Sequence, residues 1–552
     1  MKNVFTFLLL LSLSMATAQE LVIENPPFSV QKTKLPKQAL KALKIKDDKK
    51  PLQTPVWKYG EALLKGQFLG YRPDLNYQVE VYVDDPVLGI QSEYKTTLSE
   101  DGAYTIKIPL PTTLSVLFRV TIAENNIFYN NYILLSPDKT TELYVDLYQK
   151  FCQEGRLGSD KCQEAQYMIF TGANADINNQ MNRPEIVRFY ESFNDFEKFM
   201  KDIVGMTLEE YKSYMMKHLN DAVVRIPEFR LTRKAAEFLK LSMVYYNMYN
   251  LMLANSMLEF AYRRANNIKN NEPSIGFIRP LMDLDYYSFI KEIPMNDPVS
   301  LYCNNYGYNI NACKYIDDYK VWSNMVSIQQ MQERSRNERK QALATIIGTD
   351  KGIAFDLMET QMIAEQLKDF KPLSVSDLEA LSDLPNPFFA QYMKLKNEEL
   401  IAQIEERKSN PNYRVHQLDE TEDEKILSSI LQQFEGKVVL IDFWETWCGP
   451  CLNAMKQFEP FKEGLMEKGI VFLYLSSASS PVSAWNNMIP TIKGEHYRLT
   501  YQQMGYLQKK YGIIGVPAYM IIDKAGEQIY FRVGFEGAPA MTNRLNQALQ
   551  AM

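Results

Sequence analysis

The chain has 552 residues, 46% of them hydrophobic and 23% charged, with a formal net charge of −6. That length exceeds what one hydrophobic core organises, so about three domains are expected. The mild acidic balance offers no basic surface for nucleic acid, and the short runs Lys44–Lys50 and Asp419–Lys425 read as solvated linker or helix face.

The first residues, MKNVFTFLLLLSLSMATAQE, read as a secretory signal peptide over residues 1–18. Lys2 supplies the positive start, Val4–Met15 the apolar core, and Ala16-Thr17-Ala18 the small-residue cleavage pattern. The apolar run is shorter than the ~20 residues that cross a bilayer, and no cysteine stands at the cleavage point to carry a lipid. The best later apolar stretch, Met248–Phe260, is interrupted by Asn250, Asn255, Ser256 and Glu259. An exported, soluble protein is expected, with the periplasm as its compartment.

Residues 19–58 are rich in Pro and Lys and read as a linker. Over 59–148 the apolar residues recur with period two, as in Val79/Val81/Val83, Tyr104/Ile106/Ile108, Phe118/Val120/Ile122 and Leu143/Val145. Turn signals at Asp101-Gly102 and Ser136-Pro137-Asp138 separate them, which predicts a β-sandwich-like domain. Over 149–405 the period changes to three and four: Phe238, Leu241, Tyr245, Met248 and Met252 form one stripe, and Asn337–Lys368 and Ser376–Glu405 repeat the pattern. A central all-α domain is expected, its Met and aromatic stripes forming core. His218 and His416 stand alone, without metal-ligand spacing.

Residues 412–552 alternate strand and helix signals. Val438–Phe443 and Ile470–Leu475 read as buried strands, with a helix to Lys468 between them. A helix over Val482–Lys493, a short strand at Tyr497–Thr500 and a helix over Tyr501–Tyr511 follow. Pro517–Asp523 and Gln528–Val533 pair around Lys524-Ala525-Gly526, and Ala538–Ala551 closes the chain as a helix. This is the pattern of an α/β domain on a central sheet.

Two of the six cysteines, Cys448 and Cys451, stand in WCGPC, which follows the first of these strands. A cysteine at a helix N-terminus meets unpaired N–H groups and the positive end of the helix dipole, which lowers a thiol pKa from ~8.5 to about 6–7.5. One helical turn places Cys451 where it can resolve a mixed disulfide, and Pro450 fits the first turn. Cys448 is the expected nucleophile and Cys451 the resolving thiol. Asp442, six residues earlier among Leu440, Ile441 and Phe443, is expected to be buried, with a raised pKa, and to shuttle the proton of Cys451. Pro517, entering a strand after Gly515-Val516, is a candidate cis-proline that would present the Val516 backbone to a substrate chain. A zinc site would need a second close pair or nearby histidines; the remaining cysteines are ten residues apart and His496 is the only histidine nearby, so no metal and no cofactor are expected. The remaining cysteines fall in pairs ten residues apart, Cys152 with Cys162 and Cys303 with Cys313. In an exported chain these read as two local structural disulfides, although one pair relaying electrons to Cys448 is an alternative.

WCGPC after VVLIDF, followed by VPAYMIIDKAGE, resembles the thioredoxin superfamily, and more closely the exported TlpA/ResA-like thiol-disulfide oxidoreductases. The segment with Trp485 resembles the insertion of those proteins, and YYSFIKEIPMNDPVSLYC, residues 286–303, the region preceding the thioredoxin-like domain in multidomain forms. The resemblance implies Cys448 as nucleophile, Cys451 as resolving thiol, Pro517 as cis-proline, Trp447 beside the site, and Asp442 as the buried acid. Two departures stand out. Ala454 replaces a glutamate often found three residues after the second cysteine, and Lys456 replaces a helix-kinking proline, with Pro460 further on. The implied activity is reduction of protein disulfides, with a membrane thiol-transfer protein as electron donor. The alternatives are a partner-binding scaffold, an isomerase or an oxidase.

Overall fold

The computed structural model describes residues 33–45, 47, 49–71, 77–122, 126–153, 165–269, 273–316, 336–368, 371–408, 413–418 and 423–550. The expected signal peptide, residues 19–32 of the linker, Cys162 and residues 419–422 of the acidic run lie outside them. Among the described residues the chain forms two compact units, one of residues 33–364 with 381–392 and one of 365–380 with 393–550. The β-rich and most of the helical stretch share the first unit.

That unit contains eight described strands: β1 (Gly60–Leu69), β2 (Gln78–Asp85), β3 (Ile90–Thr97), β4 (Ala103–Leu110), β5 (Leu114–Ile122), β6 (Asn126–Leu135), β7 (Thr140–Asp146) and β8 (Met168–Gly172). They form two four-stranded sheets, ordered β4-β1-β7-β8 and β3-β2-β5-β6. The period-two residues of both sheets meet in one core, including Leu64, Ile106, Ile108 and Leu143 from one and Val79, Val81, Phe118 and Val120 from the other. This is sandwich packing, with each inner face supplying alternate residues. Gly66 of β1 leaves no room for a side chain: a Cβ there would lie 2.0 Å from the Leu143 carbonyl oxygen of β7.

Helix α1 (Ala175–Met181) covers two strand edges with adjacent asparagines. Asn178 accepts from Leu134 N–H (2.8 Å) and donates to its carbonyl (3.0 Å) on β6, and Asn179 does the same for Phe170 on β8 (2.8 and 2.9 Å). Each amide stands in for a missing strand at an edge that would otherwise expose unpaired backbone groups. Helix α2 (Arg233–Met252) buries Phe238, Tyr245, Met248 and Met252 of the expected stripe. The Asn337–Lys368 pattern is two helices, α3 (Arg336–Ile347) and α4 (Ile353–Lys368), because Gly348 and Gly352 between them adopt positive φ. The Ser376–Glu405 pattern likewise splits, into α5 (Val375–Ser382) and α6 (Pro387–Lys408), the second opening on a proline. Tyr286–Glu292 and Pro298–Tyr302 are 3-10 helices.

The expected Cys303–Cys313 disulfide does not form. Cys303 caps an α-helix spanning Asn304–Cys313 and Cys313 ends it, and both are buried free thiols. Ten residues of helix separate the two by about 15 Å, far beyond the roughly 4.4–6.8 Å between the Cα atoms of a disulfide. Burial pushes the Cys303 thiol up to about 12 and raises that of Cys313. The native, reduced protein is therefore expected to alkylate with iodoacetamide at Cys448 and not at Cys303 or Cys313. Peptide mass spectrometry after denaturation, when the latter two become reactive, checks this. Cys152 is disulfide-bonded.

The second unit is built on a six-stranded sheet of β9 (Tyr413–His416), β10 (Val439–Phe443), β11 (Val471–Ser477), β12 (Gly494–Leu499), β13 (Ala518–Ile522) and β14 (Gln528–Val533), ordered β14-β13-β10-β11-β12-β9. The four strands from β10 to β9 in that order run parallel, and β13 and β14 join antiparallel. Helix α7 (Gly449–Glu467) and helix α8 (Ala538–Gln550) cover one face, and α-helical Ile426–Leu431 and Tyr501–Tyr511 the other. Leu440 packs in the first layer and Val439, Ile441 and Phe443 in the second, which is why VVLIDF is a continuous apolar run rather than an alternating one. Strand β9, an edge strand with no apolar alternation, has no counterpart in the sequence reading. Strand β12 begins at Gly494 rather than Tyr497, since the preceding helix stops at Met488 and gives way to a 3-10 turn over Ile489–Thr491. No helix among the described residues is long and apolar enough to cross a membrane.

Candidate active site

Strand β10 ends at Phe443, the turn Trp444–Trp447 follows, and Cys448 is the N-cap of the 19-residue helix α7. Cys448 and Cys451 are joined as a disulfide with Cα atoms 5.3 Å apart. The Cys451 N–H donates to Cys448 Sγ at 3.1 Å, so the sulfur that would carry negative charge in the reduced state already faces a helix N-terminal donor. Cys451 is fully buried, Cys448 reaches the surface at 3%, and Trp447 beside it is 40% exposed. Of the two sulfur-bearing residues, Cys448 is thus the one nearer the surface.

Asp442 is buried in the middle of the sheet, paired in register with Tyr474 on one side and Tyr519 on the other. Its Oδ1 has no hydrogen-bond partner. Burial therefore raises its pKa to about 8, against a smaller opposing pull from Lys462. A small cavity lies against it, lined by Ala454, Phe458, Lys462, Tyr474 and Tyr519 among others. Ala454 is one turn beyond Cys451 on α7 and lines the same cavity as Asp442. No acid replaces the missing glutamate at position 454. Helix α7 continues through Pro460, which withholds the N–H that would bond the Lys456 carbonyl.

The Val516–Pro517 peptide bond is cis, and the Pro517 carbonyl accepts from Gly534 N–H at 2.8 Å. Val516 is half-buried and packs against the apolar cluster that contains Cys448 and Cys451. The fold thus brings together Asp442, Trp447, Cys448, Cys451, Val516 and Pro517 within one domain. Cys152, Cys303 and Cys313 belong to the other unit. His218 bonds the Phe193 carbonyl at 2.9 Å and His416 the Glu495 carboxylate at 2.6 Å. Among the described residues no three His, Cys, Asp or Glu side chains are grouped to hold a metal.

Two charged residues of the site escaped sequence reasoning. Lys462 is buried on α7, its Nζ 4.8 Å from the Tyr474 ring centre and 5.3 Å from that of Phe472. Burial lowers its pKa to about 8, opposed by Glu459 and Asp442. The signal was available: Cys451, Ala454, Phe458, Lys462 and Leu465 form the buried stripe of α7, and a lysine stands within it. Glu445, between two tryptophans, is buried with its carboxylate held by Ser476, Ser477 and Ser480. The cluster SSASS at residues 476–480 was the corresponding signal.

Comparison with known proteins finds similarity over the second unit. The Redoxin family model matches residues 414–549. The thiol-disulfide oxidoreductase ResA of Bacillus thuringiensis subsp. konkukian is 29% identical over 126 residues, 22% of this chain and 66% of that protein. The thiol:disulfide interchange protein HelX of Rhodobacter capsulatus is 27% identical over 92 residues, 17% of this chain and 49% of that protein. Among solved structures, a thiol:disulfide interchange protein DsbE from Chlorobium tepidum is 25% identical, with a TM-score of 0.19 over 22% of this chain and 82% of that one. The match thus spans just under two thirds of the ResA relative, and most of this chain lies outside it.

Proposed function

The C-terminal domain is TlpA/ResA-like and of the thioredoxin superfamily, and from that premise we propose that the chain is a thiol-disulfide oxidoreductase that reduces protein disulfides through Cys448 and Cys451. The observation that carries this reading is the Cys451 N–H on Cys448 Sγ at the helix N-terminus, with the buried Asp442 carboxyl on a cavity that the next turn of the same helix lines at Ala454.

In the reduced enzyme the Cys448 thiolate attacks one sulfur of the substrate disulfide. A bond forms between Cys448 Sγ and that sulfur, and the other substrate sulfur leaves as a thiolate and takes a proton from water. Cys451 then gives its proton to the Asp442 carboxylate and attacks Cys448 Sγ, releasing the second substrate thiolate, which is protonated in turn. Two electrons pass to the substrate and the Cys448–Cys451 disulfide remains. A pKa of about 8 keeps both forms of Asp442 populated near neutral pH, as a group that accepts and returns a proton requires. Val516, ahead of the cis-proline, and the exposed Trp447 would flank the incoming substrate chain.

The reductive direction rests on the Gly449-Pro450 pair, the dipeptide of reducing thioredoxins, and a Cys448–Cys451 potential near about −120 mV would overturn it. The signal-like N-terminus supports a periplasmic location. There a reductase needs a dithiol donor, and a membrane thiol-transfer protein fits that role. In a three-part organisation, the β-sandwich-like and helical domains would select or position the partner. Insulin reduction, followed by turbidity, tests the activity: wild type is expected to turn over and Cys448→Ser to fall to the uncatalysed background. Equal rates for the two would favour a scaffold whose redox-type domain is only structural.

A further inference from the structure

Glu445 lies three residues before Cys448, and its carboxylate is the end point of two hydrogen-bond chains. In the first, the exposed Trp447 indole Nε1–H donates to Ser479 Oγ at 3.2 Å. Ser479 Oγ lies 2.9 Å from Ser477 Oγ, which in turn bonds Glu445 Oε1. In the second, the Thr446 backbone N–H donates to Ser480 Oγ at 2.8 Å, and Ser480 Oγ bonds Glu445 Oε2 at 2.6 Å. The direction at the two ends of each chain is determined by chemistry. An indole N–H and a backbone N–H only donate, an ionised carboxylate only accepts, and each hydroxyl has one proton to give. Ser477 Oγ donates to Glu445 and accepts from the Ser479 N–H at 3.1 Å, which holds Ser479 where its Oγ accepts from Trp447. The Ser477 N–H at 3.1 Å and Ser476 Oγ at 3.1 Å complete the shell around the anion.

We propose that Glu445 is a positioning residue: through Ser477 and Ser479 its buried charge orients the Trp447 indole, and so shapes the wall past which a substrate disulfide reaches Cys448. The inference rests on the reductase reading only for its consequence in turnover; the orientation of Trp447 stands apart from it. An acceptor-only group is required at position 445 because two donor chains converge there. A glutamine keeps the size but presents an NH2 to one of them, leaving donor facing donor. The charge-assisted bonds are the strong ones, which explains how a half-exposed loop holds an aromatic ring that its own packing does not enclose.

Hydrogen exchange of the Trp447 indole N–H in the oxidised full-length protein tests the orientation directly. Its NMR signal among the five tryptophans is the one lost in Trp447→Phe. Ser479→Ala removes one oxygen from a half-buried surface side chain, and losing its hydrogen bond, worth ~1 kcal/mol, corresponds to about fivefold faster exchange. Glu445→Gln is expected to accelerate it at least as much, and Ser479→Thr, which restores the hydroxyl, to return it to the wild-type rate. In turnover with a protein disulfide, Ser479→Ala is expected to raise KM about threefold with a smaller change in kcat, again reversed by Ser479→Thr. Wild-type exchange in both Ser479→Ala and Glu445→Gln would overturn the proposal. Faster exchange with an unchanged KM would overturn its link to substrate. If wild type reduces no protein disulfide, the reductase reading fails while the exchange result still decides the role of Glu445.

Discussion

Asp442→Asn is expected to stabilise the oxidised protein above about pH 9 by on the order of 6 kcal/mol, and to leave it unchanged below about pH 3. The sign follows from the raised pKa. In the unfolded chain this carboxyl ionises near 3.8, whereas in the folded protein burial holds it protonated up to about 8. Below the lower value both states carry the proton and Asp442 contributes no pH dependence. Between the two values the unfolded state gains a charge that the folded state refuses, so stability falls as pH rises. Above about 8 the whole cost of a buried carboxylate stands, and asparagine removes it. Denaturant melts of wild type and variant at several pH values measure the difference; a gap that stays constant with pH would sink the argument. The same substitution is expected to slow turnover by about 10- to 100-fold, because Cys451 loses its proton acceptor. A variant both more stable and less active is the signature of a carboxyl retained for chemistry rather than for the fold.

Cys451→Ser is expected to hold protein partners covalently on Cys448, and Cys448→Ser to hold none. In the wild type, resolution is intramolecular: the two cysteine Cα atoms lie 5.3 Å apart, and well-oriented internal reactions reach effective concentrations of about 10⁵ M or more. A serine oxygen cannot take the place of the second thiolate, so release must wait for a dilute external thiol and the mixed disulfide persists for orders of magnitude longer. Cys303 and Cys313 offer no rescue, being buried thiols whose pKa burial raises. Non-reducing electrophoresis of protein purified from its native compartment should show adducts in Cys451→Ser that dithiothreitol dissolves. Equal adducts in Cys448→Ser would remove Cys448 from the role of nucleophile.

What was legible in the sequence is what short-range chemistry encodes. An unbroken apolar run identifies a strand covered on both faces, and VVLIDF is one: its alternate residues enter two separate layers. A cysteine, glycine and proline a short turn after such a run mark a helix start, and α7 begins there. Period-two and period-four stripes distinguish the sandwich from the helices because each period is a property of the local backbone. Boundaries were less legible where local signals conflict. Gly348, Gly352 and Pro387 divide what apolar spacing alone reads as continuous helices. Strand β9 is recruited to the sheet by pairing with β12 rather than by a pattern of its own.

The sequence by itself determined the close cysteine pair, the strand-to-helix placement that sets one sulfur against a helix N–H group, and the acid within the strand, since all lie within ten residues of one another. Only the tertiary structure decided what surrounds them. Lys462 lies eleven residues along α7 from Cys451, yet helical periodicity and the sheet beneath bring it to the cavity of Asp442. The serines that hold Glu445 come from the end of the neighbouring strand, more than thirty residues away. Conversely, Cys303 and Cys313 are near in sequence and kept apart by the helix between them. Local chemistry selects a backbone conformation, but the partner of a buried charge or thiol is chosen by packing, which joins residues through space with little regard for their distance along the chain.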